Sequence, residues 1–328
     1  MKVLITGGTG FIGSRLALRC LAEGHSVLVL GQENTWAENW RRAELEEAGV
    51  TVRLGSVARA ESWSDLMSGV HTVYHLAAAQ HEVGVPDSHF VRVNVDGTRN
   101  GVRAAERHNV QRFVYGSTIG VYGALLGPVD EDSPCRPDNI YGRTKLEGER
   151  ISLAAADRLP VLAVRIPETY GPGDFRLLKL FRSVAAGRFP IIGSGMNLHH
   201  PIYVHDLVDG LLACAKVSNA NGEVLLLPGA EILSSREMAT RVAHVLGVKP
   251  PRLRLPVLPL LLLSIVIERG LKPFGIDPPL HRRRLDFFRK SFQISSEKAE
   301  RLIGFAARTD FNTGVRATAL WYEEAGFL

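Results

Sequence analysis

Two side chains near the middle of the sequence could move a proton. Tyr141 and Lys145 stand four residues apart in the stretch YGRTK, at the start of a predicted helix. Residues with this spacing lie on one face of a helix, so the ammonium of Lys145 can approach the phenol of Tyr141. The charge favours the phenolate and lowers a pKa whose ordinary value is about 10. We therefore expect Tyr141 to exchange a proton with an alcohol.

Two adjacent hydroxyls end a predicted strand upstream of this pair. Ser117 and Thr118 lie in the stretch GSTIGVYG at 116–123. Parallel sheets bind ligands at the carboxyl ends of their strands, so a hydroxyl here can donate a hydrogen bond to a substrate oxygen. The residues alone leave open whether Thr118 or Ser117 does so.

Glycines at positions 7, 10 and 13 lie between the first predicted strand and the first predicted helix. Without side chains at Gly7 and Gly10, the backbone can turn tightly and come close to a pyrophosphate. The helix that begins near Phe11 offers the anion its unpaired N–H groups and the positive end of its dipole, and Gly13 lets that helix lie close to the sheet. The pattern predicts a dinucleotide site and, with Tyr141, hydride transfer between a nicotinamide and an alcohol or ketone.

The residues do not choose between NAD and NADP. The acid that reads the adenosine ribose is expected just past the second strand, where this sequence has LGQE at 30–33. Gln32 or Glu33 could bind the ribose hydroxyls and favour NAD. Arg15, Arg41 or Arg42 could instead pair with the additional phosphate of NADP.

The first half of the chain alternates short apolar runs with helix-length stretches, which is typical of a parallel sheet wound with crossover helices. The predicted strands are 3–5, 26–30, 51–54, 72–76, 113–115 and 161–164, and the predicted helices are 13–23, 38–48, 93–108 and 141–159. We predict an α/β Rossmann fold, a doubly wound parallel sheet with the polar motifs along one edge.

The alternation changes after Arg165, where glycine and proline clusters interrupt it and helices predominate. We predict a nucleotide-binding domain over residues 1–170 and a smaller, mostly helical substrate-binding domain over 171–328. Residues 200–216 carry an apolar helical pattern that could return to pack on the first domain.

Composition and charge exclude several classes of protein. The chain has 328 residues, 45% hydrophobic and 22% charged, as in ordinary globular proteins. Its net charge of +5 comes from basic residues interleaved with acids, so no nucleic-acid partner is expected. The three cysteines lack metal-ligand spacing, and no signal peptide precedes the first strand. We therefore expect a cytoplasmic protein without a metal site.

Two segments in the last third could face a membrane or an anionic ligand. The apolar run from Leu255 to Ile267 is shorter than the roughly 20 residues that a spanning helix needs. We predict a buried or pocket-covering helix there, with interfacial membrane contact as the alternative. The basic run at 281–284, with Arg289 and Lys290, is predicted to be a solvated helix face that could also attract anionic lipid.

Together these motifs resemble the extended short-chain dehydrogenase/reductase family, which includes nucleotide-sugar epimerases and dehydratases. The matching stretches are TGGTGFIG at 6–13, YHLAA at 74–78, NVDGT at 94–98, GSTIGVYG at 116–123, YGRTK at 141–145, RIPETYGPGD at 165–174 and YVHDLVDG at 203–210. The resemblance implies an enzyme that binds NAD or NADP and a small-molecule substrate. It also implies a homodimer, which is common in the family.

The resemblance assigns roles to individual residues. Tyr141 is the general acid and base, and Lys145 holds the nicotinamide ribose. Thr118 orients the substrate, and Asn94 supports the active site. The other residues implied at the cofactor are Gly7, Gly10, Phe11, Ile12, Gly13, Gln32, Ser56, Val57, Leu76, Ala77, Ala78 and Pro167.

Departures from the family's pattern bear on the reaction. Gly31 and Ser56 replace the acids expected beside the ribose and the adenine, so the choice of dinucleotide stays open. Ile119 stands where the 4,6-dehydratases begin an Asp-Glu pair, so dehydration is not expected. Glu168 and His199 stand where nucleotide-sugar epimerases have an Asn and an Arg for the diphosphate, and a carboxylate would repel that anion. Arg282 to Arg284 could supply replacement charge from the C-terminal domain.

The 3β-hydroxysteroid and sterol-carboxylate dehydrogenase branch is the most similar in appearance, through YGPGD, GSGMN at 193–197 and the apolar run at 255–267. This likeness implies a dehydrogenase or ketoreductase acting on a secondary alcohol or ketone of an apolar substrate. The alternative is a nucleotide-diphosphate-sugar 4-epimerase with tightly bound NAD. A third hypothesis is a non-catalytic dinucleotide sensor.

Overall fold

Seven parallel strands form the central sheet of the protein, in a computed structural model that describes residues 1–80, 85–124, 127–271, 285, 288 and 290–328. The strands are β1 (Lys2–Thr6), β2 (Ser26–Gly31), β3 (Thr51–Leu54), β4 (Thr72–His75), β5 (Arg112–Thr118), β6 (Val161–Ile166) and β7 (Val224–Leu226). Their order across the sheet is β7-β6-β5-β4-β1-β2-β3, and neighbouring strands all run parallel. This is a doubly wound order, which confirms the predicted Rossmann fold.

Helices flank this sheet and also build the part of the fold that lies away from it. They are α1 (Phe11–Ala22), α2 (Trp36–Glu47), α3 (Glu61–Ser64), α4 (Asp87–Phe90), α5 (Gly97–Arg107), α6 (Ile140–Leu153), α7 (Leu178–Ala185), α8 (Val204–Lys216), α9 (Ser235–Val245), α10 (Val257–Leu271), α11 (Glu297–Ile303) and α12 (Phe311–Glu324). A π-helical turn, Val91–Asp96, leads into α5, and a 3-10 turn, Ile119–Tyr122, follows β5.

Apart from the edge strand β3, which is mostly exposed, the strands are apolar along most of their length, because both faces of the sheet are buried. Side chains alternate between the faces, so Ile5 of β1 packs in one core with Leu207 of α8. Leu4 packs in the other core with Phe113 and with Val102 of α5. Burial on two sides fixes the strand ends in place, and those ends carry the predicted site.

Residues beyond 170 contribute to the central layers as well as to a separate cluster. Helix α8 packs against α1, and β7 pairs with β6. A further apolar cluster joins α7, α9 and α12 around Phe181, Met238 and Tyr322. Nothing in this packing tests a boundary at 170, so the domain division stays a prediction.

Several elements differ from those predicted. Strand β7 was not predicted, because three apolar residues give too short a pattern. Helix α2 begins two residues earlier than predicted, since Thr35 and Glu38 form a capping box. Helix α6 ends at Leu153 and not at 159. The predicted helix at 93–108 begins as a π-helical turn before it continues as α5.

The run at 255–267, predicted to form a buried or pocket-covering helix, is helical but only partly buried. Helix α10 forms there, but Leu258, Leu262 and Leu263 are exposed, and Ser264 is its only fully buried residue among those described. None of the described helices is long and apolar enough to cross a membrane. The basic run at 281–284 and Arg289 lie outside the described residues.

Candidate active site

The glycine turn between β1 and α1 is shaped by close backbone contacts. Gly7 has a φ of +69°, and a Cβ there would lie 2.7 Å from the backbone nitrogen of Ala77. A Cβ on Gly13 would lie 2.3 Å from the carbonyl oxygen of Gly7. A Cβ on Gly10 would lie 2.9 Å from the carbonyl oxygen of Gly7, so all three glycines are required by close backbone contacts.

Helix α1 begins at this turn without a side-chain cap. Gly10 is the N-cap residue, and the first turn carries no acidic side chain. The N–H groups of Phe11, Ile12 and Gly13 have no acceptor within the helix, by the geometry of any α-helix. A pyrophosphate at this position would receive these donors and the positive end of the helix dipole. The residues present thus fit a dinucleotide.

The parallel sheet brings the other predicted cofactor residues to the same edge. Gln32 follows β2, and its backbone N–H donates to the Thr9 hydroxyl at 3.0 Å, directly beside the glycine turn. The remaining residues are Ser56 and Val57 after β3, Leu76, Ala77 and Ala78 after β4, and Pro167 after β6. All of them therefore lie past the carboxyl ends of strands in the central sheet.

Two of the arginines considered for NADP are paired with carboxylates. Arg15 pairs with Glu44 of α2. Arg42 pairs with Glu33, just past β2, and with Glu46 one turn along α2. Either guanidinium would have to break an ion pair with a glutamate before it could bind a phosphate.

Arg41, the third of these arginines, is buried beneath the glycine turn. Its guanidinium donates to the carbonyls of Thr9 at 3.4 Å and Gly173 at 2.9 Å, and it lies 5.1 Å from the centre of the Phe175 ring. Burial lowers the pKa of Arg41 to about 10. The side chain fastens the turn to the 171–174 loop, so its role here is to position backbone.

Tyr141 and Lys145 lie in the first turns of α6. The helix is capped by Asn139, whose side chain accepts the Gly142 N–H at 2.9 Å. Lys145 is only 2% exposed, and its Nζ lies 4.3 Å from the centre of the Tyr115 ring. Burial lowers the pKa of Lys145 to about 7, although nearby Glu149 raises it. The ammonium would be stabilised by any oxygen ligand brought close to it.

The structure distinguishes the two hydroxyls at the end of β5. Thr118 accepts the N–H of Gly120 at 3.1 Å. A Cβ built on Gly120 would lie 3.4 Å from the Thr118 hydroxyl and 3.9 Å from Cδ1 of Tyr141, so both side chains flank the same glycine. Ser117 instead donates to the buried carboxylate of Glu149 at 2.6 Å. Of the two, Thr118 shares the side of Tyr141.

Asn94 ties together the two segments that frame this centre. Its Nδ2 donates to the Ala79 carbonyl at 3.0 Å and to the Thr144 hydroxyl at 2.9 Å, and its Oδ1 accepts the Ala79 N–H at 2.8 Å. These bonds join the chain beyond β4 to the residue before Lys145. In this geometry Asn94 acts as a positioning residue.

The sequence analysis missed a buried chain of hydrogen bonds beneath the site. The Thr6 hydroxyl and Nδ1 of His75 are 2.7 Å apart, and Nε2 of His75 is 3.1 Å from the Thr98 hydroxyl. Thr98 donates to the Asn94 carbonyl at 2.7 Å. Burial lowers the pKa of His75 to about 3, so the ring is neutral and links β1 to Asn94. Polar residues at the ends of two adjacent apolar strands were the available signal.

Glu168, two residues past the end of β6, forms a pair with His199. Oε2 of Glu168 lies 2.8 Å from Nδ1 of His199, which is buried, whereas the glutamate is about one-third exposed. Nε2 of His199 lies 2.8 Å from the Ser235 hydroxyl, which also donates to Asn197. The carboxylate is therefore held in place from behind by a buried polar chain.

Arg176, which the sequence analysis did not single out, lies beside Phe11 at the start of α1 and interacts electrostatically with Tyr141. Its half-exposed guanidinium pairs with Asp174 at 2.9 Å and lies 5.5 Å from the centre of the Phe11 ring. The pKa of Arg176 is raised overall: burial of the guanidinium lowers the pKa, but the negative charge of Asp174, and then of Tyr141 and Glu168, raises it. The cation is thus within electrostatic range of both sides of the site.

Comparison with known proteins places these features in context. Residues 3–226 match the model of the NAD dependent epimerase/dehydratase family. A dTDP-glucose 4,6-dehydratase of Streptomyces griseus is 31% identical over 98% of this chain and 94% of its own length. A 3 beta-hydroxysteroid dehydrogenase/Delta 5-->4-isomerase of Mycobacterium tuberculosis is also 31% identical, over 77% of this chain and 72% of its own length.

The fold is also shared with a solved structure. The UDP-glucuronic acid 4-epimerase from Bacillus cereus, in complex with NAD, superposes with a TM-score of 0.81. The superposition covers 99% of each chain at 23% identity. At that identity the likeness concerns the fold.

Proposed function

The chain belongs to the NAD-dependent epimerase/dehydratase family, and we propose that it is an oxidoreductase acting on a secondary alcohol or ketone that carries no diphosphate. Membership of this family confirms the resemblance drawn from the sequence and the expectation of a nicotinamide dinucleotide. The observation that carries the proposal is the Glu168–His199 pair. It presents a carboxylate where a diphosphate substrate would require donors or positive charge.

Nicotinamide, when bound, supplies the hydride acceptor or donor. Thr118 donates a hydrogen bond to the substrate oxygen, and Tyr141 takes the proton of that oxygen when the alcohol is oxidised. In the reverse direction Tyr141 returns the proton to the oxygen of the ketone. Each turnover of this kind moves one hydride from or to carbon and one proton from or to oxygen.

Lys145 has two parts in this proposal. Its buried ammonium lies among few polar groups, so it gains from ribose hydroxyls and holds the nicotinamide end of the cofactor. Its charge also favours the ionised form of the Tyr141 phenol. Asn94 keeps α6, and with it Lys145, at a fixed distance from β4.

The substrate side favours an uncharged ligand. The carboxylate of Glu168 repels phosphate oxygens but accepts hydrogen bonds from a hydroxyl. Arg176, the cation that interacts electrostatically with Glu168, is already paired with Asp174. Ile119, next to Thr118, is buried and apolar, so this position supplies neither acid nor base for the elimination of water.

The second candidate is a nucleotide-sugar 4-epimerase, and one observation favours it. Arg176 is half-exposed and lies over Phe11, near both the glycine turn and Tyr141. Were it to leave Asp174, its guanidinium could hold a phosphate in the pocket. The epimerase would use the same tyrosine twice and release no reduced cofactor.

The reaction is tested by supplying NAD with two panels of substrates. One panel contains hydroxysteroids and aliphatic secondary alcohols, and the other contains UDP-sugars and dTDP-sugars. With the first panel we expect net reduction of NAD, measured as an increase in the absorbance of reduced nicotinamide. We expect the Glu168→Asn variant to retain measurable activity of this kind. A change in sugar configuration without net reduction of NAD would overturn the proposal in favour of the epimerase.

We also propose that NAD is preferred over NADP. Glu33 lies where the adenosine ribose is read, and it occupies the nearby cation, Arg42. A 2′-phosphate would meet this carboxylate, whereas ribose hydroxyls could donate to it. In a thermal-shift titration we expect Glu33→Gln to improve NADP binding relative to NAD about tenfold. Glu46→Gln is the matched control, because Glu46 also pairs with Arg42 but lies farther along α2; equal effects of the two variants would contradict the assignment.

A further inference from the structure

Helix α10 exposes an apolar face. Leu258, Leu262 and Val266 are 65%, 57% and 67% exposed. With about 100° between successive residues, these three lie within an arc of about 80°. Ser264 lies on the opposite side and is fully buried. The helix therefore rests on the protein by one face and presents leucine and valine to its surroundings on the other.

The start of α10 is fixed to the body of the protein. Arg254–Leu255 pairs with Ile191–Ile192 as a short parallel ladder, and the N–H of Gly193 donates to the Leu255 carbonyl at 2.8 Å. Leu253, within this anchored segment, is 55% exposed. The apolar surface is therefore presented from a held backbone and continues from the ladder into the helix.

Positive charge borders this surface. Lys249, Arg252 and Arg254 are exposed and have no ion-pair partner among the described residues. The sequence contains no Asp or Glu between Glu237 and Glu268. Elsewhere on the protein, arginines are commonly paired with acids, as Arg158 is with Glu106. Here unpaired cations and exposed apolar side chains coincide in one stretch.

We propose that α10 and the preceding segment 249–255 form a docking surface for an anionic membrane. The positive charge favours a membrane as the occupant. The cations at the rim attract anionic headgroups, while the leucines enter the boundary between headgroups and acyl chains. A second copy of the chain would bring a second set of the same cations against the first. The helix is about 22 Å long and lies along the interface without crossing it.

Docking of this kind needs both apolar insertion and positive charge. Each requirement is tested by a separate double variant. Leu258→Ser with Leu262→Ser removes apolar insertion and keeps the charge. Arg252→Gln with Arg254→Gln removes charge and keeps the apolar face. The matched control is Arg316→Gln with Leu320→Ser on α12, which removes one exposed cation and one leucine that is 53% exposed.

The measurement is cosedimentation with vesicles made of phosphatidylcholine alone or of phosphatidylcholine and phosphatidylglycerol in equal amounts. We expect the full chain to bind the anionic vesicles, to bind the neutral ones more weakly and to be released by salt. Each α10 double variant should lose about tenfold or more in partitioning. The α12 control should bind like the wild type. Circular dichroism melting curves confirm that the variants fold.

Hydrogen exchange of the wild-type protein gives a second readout, which does not depend on whether a variant folds. We expect amides of 257–267 to slow in the presence of anionic vesicles. Equal partitioning of the α10 and α12 variants, or no binding to anionic vesicles, would overturn the proposal. So would a concentration-dependent dimer that the leucine variant converts to monomer without any binding to vesicles, since the face would then join two copies.

Discussion

The two sides of the candidate site are built in different ways. The cofactor side consists of backbone turns and strand ends whose positions follow from local motifs, such as the Gly7–Gly13 turn. The proposed substrate side consists of Glu168, His199 and Ser235, which come from distant parts of the chain and are held by one another. A motif in the sequence can specify the first side, whereas only the folded chain specifies the second. In the proposed reaction, the first side would serve hydride transfer and the second would select the substrate.

Tyr141→Phe is expected to have the largest effect, because Tyr141 stands where the two sides meet. Removing the hydroxyl takes away proton transfer, so turnover should fall about a thousandfold. The thermal shift caused by NAD should be unchanged, since the ring remains. Tyr203→Phe, in the α7–α9–α12 cluster, is the control. Near-normal turnover in Tyr141→Phe would show that Tyr141 does not transfer the proton.

Lys145→Met tests the electrostatics of the cofactor side. Burial lowers the folded-state pKa of Lys145 from 10.5 to about 7, so between those values the unfolded chain binds more protons than the folded one. The free energy of unfolding of the wild type should therefore rise with pH across this window. Below about pH 7 the folded protein bears the full cost of the buried charge. Lys145→Met should be more stable than the wild type by a few kcal/mol at low pH. The difference should vanish above about pH 10.5.

The readout is the free energy of unfolding in denaturant at several pH values. Lys216→Met, at a side chain 62% exposed, should show no such window. A pH-independent difference between Lys145→Met and the wild type would mean that the lysine is charged in the folded protein throughout. The same variant should also bind NAD more weakly, because the ribose loses its donor.

Gly13→Ala tests whether the glycine turn is rigid. The new methyl group would lie 2.3 Å from the Gly7 carbonyl oxygen, so we expect a loss of about 2 kcal/mol in stability and weaker NAD binding. Gly270→Ala in α10 has no atom near the added methyl group, so it should be neutral or slightly stabilising. Equal stabilities of the two variants would show that the turn can yield.

Sequence alone predicted the parts of the molecule that depend on neighbours along the chain. The glycine turn, the Tyr141–Lys145 spacing and the parallel sheet follow from short patterns. The partners of Ser117 and His75 did not follow, because Glu149 and Thr98 reach them across the fold. The exposure of α10 was missed for a related reason: an apolar run shows that a helix forms, and only its packing shows which side is covered.

Glu168→Gln should separate the two sides with the smallest change in atoms. The amide retains a hydrogen-bond acceptor for His199 but loses the charge that faces the pocket. We expect KM for an uncharged alcohol to rise about tenfold, with kcat and the NAD thermal shift nearly unchanged. Gln32→Ala is the converse variant and should weaken NAD binding without changing substrate discrimination. If Glu168→Gln lowered kcat as strongly as Tyr141→Phe, the carboxylate would belong to proton transfer, and the division between a shared cofactor side and an individual substrate side would fail.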